Sequence, residues 1–296
     1  MTKTVRMNSV IRFLAAIMLV LAASSSAFNV YRPPRTSLSL QSSSDDVNLQ
    51  PPAEAAETTT STQGSSAEAT ELKTRLLKLA ASYDRGFATN PRASSEANDV
   101  IAQLQAMNPT SNANRGLEGY DSVTPLKAIW RLIWTSALDV VSLGANPIAA
   151  PSAIYQDIRE PPTAVNIIDF IPRVQTLFPQ SIAPSTLVRA EVTTRASERS
   201  SNPNRVGLVF EGVKLQPIEL LGQSVSSLPP LSVDFTIGQG ILDQVVSFVP
   251  GLDELRDNED APGYFDVEYL DDELLVIRQG PGGGVFALIK VDSCDP

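Results

Sequence analysis

The chain has no histidine and a single cysteine, Cys294, among its 296 residues. Ser-His-Asp and Cys-His nucleophile systems, imidazole metal sites and thiolate zinc sites therefore lack the residues they require. No intrachain disulfide can form, and Cys294 reads as a tail thiol. Acid is missing from residues 1–44, which hold Lys3, Arg6, Arg12, Arg32 and Arg35 but no Asp or Glu. The rest carries 18 basic against 33 acidic residues, so the formal charge splits into +5 and −15. That acidity argues against nucleic-acid binding and against simple electrostatic docking on anionic lipid.

The basic front end has the features of an address. Phe13–Ala23 is an apolar run behind a basic start and before SSSA. It fits a secretory h-region and is shorter than the ~20 residues a spanning helix requires, so no transmembrane segment is expected in the mature chain. FNVYRPPRTSLSLQSSS follows, basic and Ser-rich, with the composition of an organelle transit segment. Residues 1–27 are thus read as a signal peptide and 28–44 as a transit-like segment. Two addresses in series predict import across more than two membranes. The Ala27-Phe28 junction is similar to the Ala-Phe signature of bipartite presequences in algae with secondary plastids.

Residues 45–70 hold almost no large apolar side chains and read as a disordered linker, unable to offset the entropy of ordering. Residues 71–110 carry two helical stripes. Leu72, Leu76, Leu79, Ala80 and Tyr83 make the first, with Gly86 as its stop; Val100, Ile101, Leu104 and Met107 make the second, which begins near Pro91 and ends at Asn108-Pro109. From about residue 115 to 292 the period becomes alternating. Strands are expected at Ala128–Ser136, Ile154–Ile158, Val165–Phe170, Leu187–Ala196, Arg205–Leu215, Leu231–Ile237, Tyr264–Leu270, Glu273–Gln279 and Val285–Val291. Without interleaved helices, this favours a mainly β domain, an antiparallel barrel or sandwich. The interval Gly238–Gly251 is left open between short helix and strand.

The glycine run Gly280–Gly284 resembles a phosphate loop only superficially. Val285 follows it where a P-loop needs Lys and then Ser or Thr, and β-formers flank it on both sides, so it reads as a hairpin turn. Ten acidic residues lie between Asp253 and Glu273 without the alternating ligands and central Gly of a calcium loop, which suits a solvated face and no metal site. Asp266 and Glu268 are the one carboxylate pair weighed for glycosidase chemistry. Apolar contact surfaces for a membrane are sought in Ile241–Pro250 and Leu228–Leu231, against ordinary burial.

Trp130, Leu132 and Trp134, with Leu208, Phe210, Leu274, Val276, Phe286 and Leu288, are expected on the inner face of a closed sheet. About eight strands leave an interior that is either filled or open to one small ligand. Arg278 alternates with Leu274 and Val276 and is expected inside, stacked on Trp130 as a structural lock or orienting a ligand carboxylate or carbonyl.

IWRLIWTSA, IYQDI with VNIIDF, RVGLVFEGV and YFDVEYLDDELLVIRQGPGGGVFALIKV resemble the plastid lipid-associated protein/fibrillin family, over Leu72 to Val291. The last motif is the most specific. The resemblance implies a lipocalin-like antiparallel β-barrel preceded by two amphipathic helices, in plastids, at thylakoids or plastoglobules. It implies a hydrophobic small-molecule partner such as a carotenoid, quinone or fatty acid, with no dedicated cofactor and no enzyme activity. Trp130 falls on the first-strand tryptophan, and Asp271, Leu274, Arg278, Gly280 and Phe286 fall on the closing motif. Ala128 departs from the glycine of a lipocalin-type start. Leu275 and Ile277 replace typically polar residues, which suggests an apolar outer patch. A structural protein docking on a photosynthetic membrane complex without a ligand is the alternative.

Overall fold

The computed structural model describes residues 61–118, 123–177, 185–234, 263–280 and 283–295. Residues 1–44, expected to be a presequence, and the Gly238–Gly251 interval lie outside these residues. Helix α1 (Ser61–Ser82) and helix α2 (Pro91–Ala106) are joined through a 3-10 turn at Asp84–Gly86. The Asn90 side chain accepts a hydrogen bond from the Ala93 N–H at 2.9 Å, capping α2, and Pro91 occupies a position where a missing N–H costs nothing. Helix α1 begins inside the stretch expected to be a linker. Ala67, Glu68 and Ala69 are good helix formers and extend it without an apolar face.

The strands are β1 (Ile129–Thr135), β2 (Ala149–Asp157), β3 (Thr163–Pro172), β4 (Leu187–Glu198), β5 (Arg205–Leu220), β6 (Gln223–Ser224), β7 (Leu231–Asp234), β8 (Gly263–Leu270), β9 (Leu274–Gln279) and β10 (Val285–Val291). Short helices α3 (Leu138–Leu143) and α4 (Arg173–Thr176) follow β1 and β3. All nine expected strands are present; the two-residue β6 was too short to show a period. Pairing is antiparallel throughout and runs β4-β3-β2-β1-β10-β9-β8-β5, with β5 returning to β4. The sheet thus closes in a barrel-like ring, with β6 and β7 hanging on β5.

Two apolar layers define inside and outside. Trp130, Leu132, Ala164, Ala196, Val206, Phe265, Val267, Leu275, Ile277 and Leu288 form one cluster from strands all around the ring, which is its interior. Ile133, Trp134, Tyr269, Leu274, Val276, Val285 and Ala287 form the other with Leu72, Leu76, Leu79, Val100, Ile101 and Leu104 of the helices, which cover the outer face of β8, β9, β10 and β1. The expected helical stripes are therefore contacts on the outside of the ring.

Helix α1 is also held by charge. Lys73 Nζ lies 2.5 Å from Asp271 and 2.8 Å from Glu273. Asp271 also accepts from the Tyr269 hydroxyl at 2.6 Å and from the N–H groups of Glu273 and Leu274 at 2.9 Å each. Burial alone pushes the Asp271 carboxyl up, but Lys73, Tyr269 and the two backbone N–H groups together hold it below its usual range. A depressed carboxylate contributes stability above its unfolded pKa and loses it as pH falls through the folded value. Asp271→Asn should therefore cost about 1–2 kcal/mol at neutral pH. The gap from wild type should close below the ordinary carboxylate range. Urea midpoints at neutral and acid pH measure this, and a gap independent of pH would contradict it.

Candidate functional site

One end of the ring is closed by the segment that precedes β1. Asn108 Oδ1 accepts the Leu270 N–H, and Asn114 Nδ2 donates to the carbonyls of Arg199, Asn202 and Arg205. Glu198 Oε1 accepts from the Gly116 and Leu117 N–H groups. These bonds draw Ala113, Leu117 and Leu126 across the base, where all three are fully buried. Trp130 Nε1 donates to the Leu126 carbonyl at 2.9 Å, so the first-strand indole fixes this floor. The sequence gives little sign of such a plug, because polar loop residues make most of its bonds.

Above the floor the interior is mainly apolar and unevenly buried. Toward the far end, Leu143, Ala149, Phe170, Val188, Ala190 and Leu215 form a second buried layer. Between the layers, Ile154, Asn166, Ile168, Val192, Leu208, Val213 and Phe286 keep partial solvent accessibility. Strand pairing puts these on the inner face: Ile154 faces Ile168, Asn166 faces Val192, and Val192 faces Val213. Solvent therefore reaches the middle of the inner face, between the two buried layers.

Gln156 stands at the bottom of that region. It lies opposite inward-facing Trp130 on β1 and opposite Asn166 on β3, and it is only 5% exposed. Its Oε1 is buried without a hydrogen-bond partner, the one such side-chain atom among the described residues. An unpaired buried amide group costs about 1–3 kcal/mol, which an apolar side chain of the same size would avoid. Local pattern alone does not single out Gln156. Its signal was a polar residue at an inward position of an otherwise apolar β2 face.

Several expected positions need correction. Trp130, Leu132 and Leu288 belong to the interior cluster, with Leu208 and Phe286 packed against it. Trp134 does not: a bulge between Leu132 and Trp134 inserts one residue and turns Trp134 to the helices. Leu274 and Val276 also face the helices, while Leu275 and Ile277 face inward. The proposed outer patch at Leu275 and Ile277 is thereby overturned. Phe210 lies opposite Thr194 on the inner face, where it is 54% exposed. It sits where β5 has run past β8, which pairs up to Leu208, and has not reached β7, which pairs from Gly212.

Arg278 shares the outward parity of Leu274 and Val276, so it does not stack on Trp130. Its guanidinium donates to Glu268 at 2.5 and 3.1 Å, tying β9 to the bulge of β8. Asp266 is likewise paired, to Arg205 at 2.7 and 2.8 Å. Both carboxylates weighed for glycosidase chemistry are therefore occupied on the outer face. No group of acidic, Cys or His residues able to hold a metal ion is present among the described residues; Asp253–Asp260 lie outside them. Gly280 packs under a ring, since an added Cβ would lie 2.4 Å from Tyr264. The flanking strands pair as a hairpin, as expected of a turn.

The far end of the ring differs in character from the plugged one. Its loops 136–148, 173–177 and 221–230 hold only two charged residues, Asp139 and Arg173, and Arg173 donates to the carbonyls of Asn146 and Gly144. Leu138, Leu177 and Leu221 are 75, 77 and 65% exposed there, and Ile148, Val174 and Leu228 are exposed beside them. Leu228, Pro229 and Pro230 are exposed too, so ordinary burial does not account for that loop, while Ile241–Pro250 lies outside the described residues. No described helix is long and apolar enough to cross a membrane.

The family model described as PAP_fibrillin matches residues 70–289. A "Plastid-lipid-associated protein, chloroplastic" of Citrus unshiu is 28% identical, across 76% of this chain and 69% of its own. "Plastid lipid-associated protein 2, chloroplastic" of Brassica campestris is 28% identical, across 77% and 71%. "Chromoplast-specific carotenoid-associated protein C1, chromoplastic" of an Oncidium hybrid cultivar is 26% identical, across 78% and 72%. No solved structure matches the chain.

Proposed function

Because this chain belongs to the PAP/fibrillin family, we propose that it is a plastid protein whose ring holds a hydrophobic small molecule, a carotenoid, quinone or acyl lipid, at a thylakoid or plastoglobule surface. The carrying observation is the accessible apolar middle of the ring between two buried layers. A ligand there leaves water at a gain of about 25 cal/mol per Å² of apolar area buried. Residues 1–44 serve as the bipartite presequence in this reading, and chemistry is not part of the role.

The sparsely charged apolar loops at the far end support peripheral contact with a lipid surface, using apolar area in place of charge. The same loops favour the second reading, a protein that docks on a photosynthetic membrane complex without a ligand. Solvent extraction and mass spectrometry of protein isolated from its own plastids separate the two. Near-stoichiometric pigment, quinone or acyl lipid is the expected result. Empty protein that binds none of them in titration, yet co-sediments with one defined complex, would establish the second reading instead.

A further inference from the structure

We propose that Gln156 is the specificity-determining polar anchor of the interior, selecting an elongated apolar ligand with a terminal hydroxyl that enters hydroxyl first. The inference rests on the ligand-holding reading above and narrows it. Gln156 is 95% buried, as its 5% exposure shows, and its Oε1 has no partner in the chain. Cross-strand pairing aims it inward beside Trp130 and Asn166. Ile154, two residues along the same face, remains partly accessible, so the amide lies at the floor of the accessible middle.

The surroundings define what would satisfy it. Trp130 has spent its one donor on the Leu126 carbonyl, and the Thr194 hydroxyl donates to the Ala164 carbonyl. Neither donates to the amide. Asn166, opposite on β3, does not donate to Oε1 either, which has no partner, and Ile154 and Ile158 beside Gln156 along the chain are hydrocarbon. A ligand hydroxyl both donates and accepts, and therefore satisfies a carboxamide in either orientation. A hydrocarbon end leaves the amide unpaired, and an ether oxygen supplies no donor.

The test compares 1-hexadecanol, 1-methoxyhexadecane and hexadecane as competitors against a fluorescent apolar dye bound to the mature protein. The wild type should favour the alcohol over the ether by about tenfold, the worth of one net hydrogen bond. In Gln156→Leu that preference should shrink below about twofold, with hexadecane bound at least as tightly as before, since the replaced group was unpaired. Gln156→Met, closer in shape, serves if the leucine variant fails to fold. Equal wild-type affinity for all three compounds, or a preference that survives substitution, overturns the anchor and leaves the ligand-holding reading standing. Displacement by none of the three overturns both.

Discussion

Asp169→Ala lowers the stability of the folded chain by about 3–5 kcal/mol, the expected cost of stripping one partner from a buried ion pair. Asp169 is fully buried on the outer face of β3 and accepts from Arg189 of β4 at 2.8 and 2.9 Å. The same guanidinium donates to the Cys294 carbonyl at 2.5 Å, so the pair also fastens the C-terminal tail across β2 and β3. Removing the carboxylate leaves a guanidinium under that tail with one carbonyl for company. Chemical denaturation measures the loss, and reaction of the single thiol with a disulfide reagent reports the tail. Burial now pushes the Cys294 thiol up, keeping it protonated and slow. Release of the tail should speed the reaction several-fold. Replacing both partners, as in Asp169→Leu with Arg189→Met, should recover most of the stability, because apolar substitution of a whole buried pair is close to neutral. A single variant as stable as wild type would show that the pair contributes nothing.

Gly86→Ala should cost about 2–4 kcal/mol, combining left-handed backbone strain with a collision. Gly86 has φ of +97° in the turn between the helices, and an added Cβ would lie 2.1 Å from the Thr135 carbonyl oxygen at the end of β1. That carbonyl belongs to a paired strand and cannot swing aside as a flexible side chain can. The turn and β1 must separate, loosening both helices from the outer face. Amide exchange should accelerate in α1 and α2 more than in β3 and β4. Gly263→Ala is the control, because its Cβ would meet nothing within 4 Å. Equal thermal midpoints for the two variants would contradict the argument.

Much of the architecture was legible because short strands with Pro, Gly, Asn or Asp boundaries leave a local signature. Val285–Val291 is found at its expected bounds, and most other strands extend the expected ones by a few residues at one or both ends. Gly86 was legible as a helix stop, although its closeness to Thr135 was not. The facing of the side chains was the weak point. In LLVIR of β9 both faces are apolar, so alternation identifies a strand without saying which face is the inner one. A single bulge had the same effect in β1, leaving Trp130 inside and sending Trp134 to the helices.

Read alone, the chain excludes histidine chemistry, thiolate zinc sites and an intrachain disulfide, marks two amphipathic helices ahead of an antiparallel β domain, and carries the closing motif of its family. These are matters of composition and short-range period, which are local. Tertiary structure decided that Leu275 and Ile277 point inward, that Asp266, Glu268 and Asp271 are paired with Arg205, Arg278 and Lys73, and that Oε1 of Gln156 is buried without a partner. Each depends on register and on groups distant in sequence. Burial and pairing are properties of neighbours in space, and closing the ring is what selects those neighbours.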